Sequence, residues 1–139
     1  MRIAYQIVEH PADVGFRAYG ATLEELFANA AEAMMSLGCA LENIVERERR
    51  ELAAHGENLE ALLYDWLTEI LAIADAEQLV FRRAEVMEVA GGKAHGVIYG
   101  EKFDKSRHRA GTYIKAVTYH QLQVEQTTDG WRAQVFLDV

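Results

Sequence analysis

The spacing of apolar residues changes near residue 78, and this change most constrains the fold. Before it, two segments repeat apolar residues at helical spacing, over 22–38 and 58–74. After it, apolar and polar residues alternate, as they do in half-buried strands. Helices followed by hairpin strands predict an α+β fold, with two helices packed on one face of a mixed, mostly antiparallel β-sheet. We expect a single domain over residues 1–139.

Both helices carry signals for their first residues. Thr22 and Glu25 fit a capping box, and Asn58 can cap the second helix. Gly38 is predicted to cap the end of the first helix. The second helix is the more apolar and is expected to be central. Its predicted buried residues are Leu59, Leu62, Leu63, Trp66, Leu67, Ile70 and Leu71.

The strands are predicted from alternation and turn residues. Early strands cover 2–9 and 14–19, and the charged segment 45–54 is predicted to be a partly exposed edge strand. The later strands are predicted at 79–90, 93–103, 113–125 and 131–139. Gly91-Gly92 and Asp129-Gly130 favour hairpin turns. No internal repeat is evident at this stage.

Charge and cysteine content exclude several classes of protein. The chain has 22 acidic and 14 basic residues, a net charge of −8, which disfavours a direct grip on nucleic acid because each phosphate contact needs a cation. Residues 1–70 carry the excess, with 13 acidic and 5 basic side chains. A single cysteine, Cys39, excludes a disulfide framework or a Cys-based zinc site and favours the cytoplasm. We expect no membrane span and no signal peptide.

Carboxylates occur in two segments far apart in the chain. In the link between the first two strands, Asp13 is either a metal ligand or base assisted by His10, or it only bonds loop amides. The last strand ends in Asp138 and Val139, whose two carboxylates form either an oxygen-only site for a hard divalent ion or a solvated end. The spacing of these residues leaves both alternatives open.

Cations occur in two other segments. Residues 101–109 hold four cations and His108, and they suit either a phosphate or acidic-partner contact or a solvated loop. Lys115 lies in an apolar segment, either on an exposed sheet face or in a site. Strand alternation would place it on one face with Val117 and Tyr119.

Three separated blocks resemble the signatures of the archease family, in the family's order from about residue 4 to 139. The first block is His10-x-Ala12-Asp13-Val14-Gly15 with Ala18-Tyr19-Gly20-x-Thr22-Leu23-Glu24-Glu25-Leu26-Phe27. The second block is Gly100-Glu101 with Gly111-Thr112-x-Ile114-Lys115-Ala116-Val117-Thr118-Tyr119-His120. The third block is Gly130-Trp131-x-Ala133-x-Val135-x-x-Asp138-Val139. The family more often has threonine at the position of Pro11, and lysine is commoner in the loop where Arg107 stands.

The resemblance implies a cytoplasmic α+β protein that activates the GTP-dependent RNA-splicing ligase and is not itself an enzyme. That ligase joins a 3′-phosphate or 2′,3′-cyclic phosphate end to a 5′-hydroxyl through a guanylylated histidine. The activator is expected to promote ligase guanylylation, RNA 3′-phosphate activation and multiple turnover in tRNA splicing and RNA repair. It would bind the ligase transiently and touch RNA only indirectly.

The resemblance also implies which residues act. Family members hold a divalent metal, seen as calcium, through ligands that match Asp13, Asp138 and Val139; magnesium and manganese are alternatives in the cell. The residues expected to serve activation or partner contact are Lys115, His10, Arg107 and His108. Two other functions stay open: a small metal-dependent phosphohydrolase, and a general chaperone or scaffold module.

Overall fold

The computed structural model describes residues 3–10 and 13–139. The elements are β1 (Tyr5–His10), β2 (Asp13–Gly20), α1 (Leu23–Gly38), a short 3₁₀ helix (Leu41–Asn43), β3 (Glu48–His55), α2 (Leu59–Glu77), β4 (Leu79–Ala90), β5 (Lys93–Lys102), β6 (Ala116–Val117), β7 (Gln123–Thr127) and β8 (Gly130–Asp138). The predicted α+β class with two helices is confirmed.

The strands form two sheets where one was expected. The five-stranded sheet has the order β1-β2-β8-β6, with β7 also paired to β8, and the three-stranded sheet has the order β3-β5-β4. Within residues 3–10 and 13–139, every strand pair is antiparallel. Helix α1 packs against both β2 and β4 and so joins the two sheets. Fully buried side chains of the core include Phe16, Phe27, Leu63, Trp66, Ile98 and Leu137.

The two helices belong to two units of the same topology. Each unit is a strand, a helix and a β-hairpin whose second strand pairs with the first: β2, α1 and β7–β8 in one unit, β3, α2 and β4–β5 in the other. The second unit is inserted between the helix and the hairpin of the first. This structural duplication is not visible as a repeat in the amino-acid sequence.

Local contacts repeat between the units at an interval of 36 residues. Thr22 and Asn58 cap their helices by accepting a hydrogen bond from the amide three residues later, at 3.1 and 2.8 Å. Gly20 and Gly56 each lie two residues before the cap, where a Cβ would come within 2.4 and 2.3 Å of the amide nitrogen six residues later. The same tight strand-to-helix connection is therefore built twice.

The units also bond to each other reciprocally. Glu24 Oε2 on α1 accepts a hydrogen bond from the Val89 amide of β4 at 2.9 Å. Glu60 Oε2, at the matching position of α2, accepts one from the Val124 amide of β7 at 3.0 Å. Each helix thus binds the hairpin of the other unit, which couples the two halves of the fold.

Most other elements follow the predictions, with three differences. The strand expected at 113–125 is wrong: only β6 and β7 form, separated by residues that include Gln121 with a φ of 51°. Gly38 is the last helical residue of α1, and Cys39 is the C-cap. The turn before β8 consists of Thr128-Asp129. In the part of the chain that the structure describes, neither helix is long and apolar enough to cross a bilayer.

Candidate functional site

The strands that carry the candidate ligands meet at one edge of the five-stranded sheet. Val14 of β2 is paired with Leu137 of β8, and Asp13 and Asp138 are the next residues along these two strands at this edge. The Lys115 amide donates a hydrogen bond to the Asp138 carbonyl oxygen at 2.8 Å. Backbone pairing therefore brings together three segments that are far apart in the sequence.

The side chains at this edge face solvent where the structure describes them. Asp138, Val139 and Lys115 are all exposed. The side chains of His10 and Asp13, and the whole of Pro11, lie outside the described part of the chain. Among the described residues, no group of three or more His, Cys, Asp or Glu side chains could hold a metal ion. The metal site over Asp13, Asp138 and Val139 therefore stays a prediction.

The donor chemistry at this edge suits a hard cation. Asp138 offers an exposed carboxylate, and its carbonyl oxygen already accepts the Lys115 amide. Asp13, next to Val14 at the end of the paired strand β2, would add further oxygen donors. Oxygen-only ligands favour calcium, magnesium or manganese over zinc.

The segment beside β8 is fixed by hydrogen bonds to one carbonyl. The Thr118 amide and hydroxyl both donate to the Phe136 carbonyl oxygen, at 3.1 and 3.0 Å. On the facing strand, a Cβ on Gly15 would lie 2.4 Å from the Val135 carbonyl oxygen and 2.7 Å from Phe136 Cδ1. A glycine at position 15 therefore lets β2 approach β8 closely, next to the candidate ligands.

The predicted face of Lys115 is wrong because this segment is not one continuous strand. Ile114 and Val117 are both buried, at 7% and 4% exposure, which alternation over a strand does not allow. Lys115 and Ala116 between them are exposed. Lys115 therefore points to solvent independently of Val117. Its ammonium group is available at the same edge as Asp138.

The basic segment is organised by a buried carboxylate, Glu101, which is 3% exposed. Its Oε2 accepts hydrogen bonds from the Val45 amide at 2.7 Å and from His108 Nε2 at 3.0 Å. Its Oε1 binds Arg107 Nη2 and lies 3.7 Å from Arg47 Nε. The hydrogen bond from Arg107 is the main reason why the pKa of Glu101 falls to about 2.

His108 lies inside this cluster rather than on the surface. Its Nδ1 accepts a hydrogen bond from the Asp104 amide at 2.9 Å, so its ring proton is on Nε2, which donates to Glu101. The side chain is fully buried. His108 thus holds the loop in place and has no free face for a partner. Arg107, with a side chain 39% exposed, keeps partial access to solvent.

Sequence reasoning missed the role of Glu101. Glu101 is one of two acids among the four cations of residues 101–109, and this composition does not distinguish it from Asp104. The available signal was its position directly after Gly100, where the strand enters an Arg- and His-containing loop. An acid at such a point can satisfy several loop donors at once.

Comparisons with known proteins agree with the fold. A model of the archease protein family matches residues 5–139. The chain is 40% identical over 139 residues to protein archease of Methanosarcina mazei, covering 97% of this chain and 95% of that relative. It is 42% identical over 135 residues to protein archease of Pyrococcus abyssi, covering 94% and 95%.

Two solved structures share the architecture. Protein 1598 of Methanobacterium thermoautotrophicum, solved in solution, matches with a TM-score of 0.82 and 33% identity over 98% of this chain and 99% of that one. A Thermotoga maritima crystal structure, described as an archease and possible chaperone, shows the same fold with a TM-score of 0.64 and 23% identity, covering 100% of this chain and 98% of that one. Because the family model matches residues 5–139, this chain belongs to the archease family.

Proposed function

We propose that this protein is an accessory activator of the GTP-dependent RNA-splicing ligase, and that it acts through a divalent metal held at the edge of the five-stranded sheet. The observation that supports the proposal is the pairing of Val14 with Leu137, which adjoins Asp13 and Asp138, together with the hydrogen bond from the Lys115 amide to the Asp138 carbonyl oxygen. The ligase as partner is what the resemblance to the archease family implies, and membership in that family supports this choice.

The residues at this edge divide into two tasks. Asp13, Asp138 and the Val139 carboxylate would hold the ion, because neighbouring carboxylates repel each other unless a cation lies between them. When bound, the metal supplies positive charge that neutralises phosphate oxygens. Lys115 supplies a second, permanent cation beside it and would contact phosphate or the ligase. None of these residues is assigned a covalent step.

The charge distribution supports an accessory role. With a net charge of −8, the protein is poorly suited to hold an RNA backbone, so the ligase would bind the RNA. The protein would then present the ion and Lys115 to the ligase active site during guanylylation and RNA 3′-phosphate activation. A loosely held ion in a partly hydrated site suits transfer between two proteins better than storage.

The test is a ligation assay with trace ligase, with and without this protein. Asp138→Asn and Lys115→Ala are each expected to lower the stimulated rate by about tenfold or more, because they remove a metal ligand or the neighbouring cation. Glu88→Gln and Lys93→Ala, which change exposed residues on the three-stranded sheet, are the matched controls. No rise in turnover with the unaltered protein would refute the proposal.

The Val139 ligand has its own test. Two residues added after Val139 would move the α-carboxylate away from Asp138, so we expect weaker stimulation in the same assay. Full stimulation by the extended protein would remove Val139 from the site.

Two alternatives predict different results. A phosphohydrolase would turn over phosphate esters by itself in a metal-dependent way and would lose this activity in Asp13→Ala. A general chaperone would bind many unfolded proteins without need for metal. Recovery of the ligase by affinity capture, with metal-dependent stimulation, favours the activator over both.

A further inference from the structure

A cavity of about 310 Å³ lies between the C-terminal ends of α1 and α2 and is lined on its third side by Phe103 and residues 110–114. Its floor is apolar and buried, and the floor residues are Met34, Ile70, Phe81 and Ile114. A cavity of this size is large enough for one or two side chains or a small ligand. Unbranched methionine side chains in its wall can adapt to an occupant.

The cavity rim has a single sign of charge. Asp75 is the one charged residue among the described residues that line it, and its exposed carboxylate makes no hydrogen bond or ion pair with any other described residue. The last turn of α1, which the structure describes in full, has no basic residue, so that helix end adds negative partial charge. Lys102 binds the Glu77 carbonyl oxygen at the end of α2 but does not line the cavity.

Two aromatic rings stand at the mouth. Tyr113 is 65% exposed and Phe103 is 38% exposed, although both line the cavity. Aromatic faces beside a carboxylate attract organic cations. The arrangement therefore suits an occupant with an apolar body and a positive charge at the rim.

The cavity wall leads directly into the candidate functional site. Thr112, Tyr113 and Ile114 line the cavity, and the next residue is Lys115. The amides of Gly111 and Thr112 bind the Gly38 and Leu37 carbonyl oxygens at the end of α1, both at 2.9 Å. An occupant of the cavity would thus touch the same segment that holds Lys115 against Asp138.

We propose that this cavity is the docking site for a ligase segment that presents an apolar side chain beside a lysine or arginine. The apolar side chain enters the chamber, and the basic group meets Asp75 and Tyr113 at the rim. The proposal rests on the proposed function, because the ligase is its partner. It adds an affinity-determining contact separate from the metal site.

Gly38 offers a way to fill the cavity without backbone strain. It lines the cavity, its φ is not positive, and a Cβ there would meet no atom within 4 Å. Gly38→Phe should therefore occupy the chamber in a folded protein, and Gly38→Ala is the control that adds a side chain without filling it. Asp75→Lys reverses the rim charge, and Glu88→Lys is its charge-matched control on β4.

The experiment measures direct binding of each variant to the purified ligase by biolayer interferometry, alongside stimulation in the ligation assay. Gly38→Phe and Asp75→Lys are expected to weaken binding to the ligase about tenfold or more, because each removes a central contact of the interface. The affinities of both control variants should stay within about twofold of that of the unaltered protein. Asp138→Asn should lose stimulation, because it alters the metal site. Thermal unfolding verifies that each variant is folded.

The outcomes separate the two proposals. Unchanged affinity in both Gly38→Phe and Asp75→Lys would overturn the docking site, as would a failure of the unaltered protein to bind the ligase. Normal binding that depends on Gly38 and Asp75, without any stimulation, would overturn the proposed function but leave the docking site intact. If Gly38→Phe fails to fold, the exposed Asp75→Lys variant decides the question.

Discussion

Glu101 shows how one buried carboxylate can organise a loop. It is 3% exposed, yet it accepts hydrogen bonds from the Val45 amide, His108 and Arg107. A buried charge is tolerated only when it is paired and hydrogen-bonded in this way. The cluster ties the entrance of β3 to the loop after β5, and that loop leads on toward Lys115.

We predict that Glu101 makes stability depend on pH in the acid range. Its pKa of about 2 in the folded protein lies below the ordinary value of 4.5, so its contribution is fully present above pH 4.5 and is lost as the pH falls toward 2. Glu101→Gln should cost about 2 kcal/mol at neutral pH and flatten this fall. The measurement is urea unfolding at a series of pH values.

Glu88→Gln, an exposed carboxylate on β4, is the control and should keep the pH dependence of the unaltered protein. A Glu101→Gln profile parallel to that of the unaltered protein would contradict the assigned role.

At the scale of elements, the two strand–helix–hairpin units depend on each other. The carboxylates of Glu24 and Glu60 each accept a hydrogen bond from a backbone amide in the hairpin of the other unit. We predict that Glu24→Ala and Glu60→Ala each cost about 1–2 kcal/mol, because each leaves a strand amide without its acceptor. Hydrogen exchange should speed up at the Val89 amide in the first variant and at the Val124 amide in the second.

Glu57→Ala, just before the cap of α2, is the control for this pair. Unchanged protection of the Val124 amide in Glu60→Ala would show that the contact does not couple the units.

Helices and hairpins could be predicted from sequence because their signals are local. The caps Thr22 and Asn58 and the turn Gly91-Gly92, with φ values of 60° and 75°, act through nearest neighbours. The 113–125 segment could not be predicted, because its apolar residues pack individually and Gln121 breaks the strand with a positive φ. The duplication was hidden because the matching core positions differ in size, such as Ala30 and Trp66.

The candidate site could be predicted only in part, for a related reason. The resemblance to a family names Asp13, Asp138 and Lys115, but spacing in the sequence cannot show that β8 lies between β2 and β6. That order arises from the nested topology. The burial of His108 was also beyond prediction, because it depends on Glu101 arriving from the end of β5.

At the scale of the whole molecule, the proposed function assigns part of the negative charge to the edge of the five-stranded sheet. The side-chain carboxylates of Asp13 and Asp138 and the Val139 α-carboxylate are assigned to one ion at the sheet edge, where β2 and β8 are paired over seven positions. An ion bound there links the early strand to the last one. Binding should therefore stabilise the protein globally, because it favours the folded state alone.

We predict that calcium raises the thermal midpoint of the unaltered protein. At 100 times its dissociation constant, a single bound ion adds about 2.7 kcal/mol, which corresponds to roughly 9 °C for a domain of this size. Differential scanning fluorimetry with and without a chelator measures the shift. Asp138→Asn should abolish it, and Glu88→Gln should retain it.

An equal shift in Asp138→Asn and the unaltered protein would place the ion elsewhere. The same titration with magnesium and manganese ranks the ions without reference to the ligase.

The insertion of one unit within the other also sets an order of assembly during synthesis. The inserted unit is complete once β5 has been made, whereas the five-stranded sheet must wait for β8 to return to β2. The edge with Asp138 is therefore the last part of the fold to form, after synthesis of the chain is complete. A chain that ended after β5 would lack β8 and with it Asp138, so it could not form the proposed metal site.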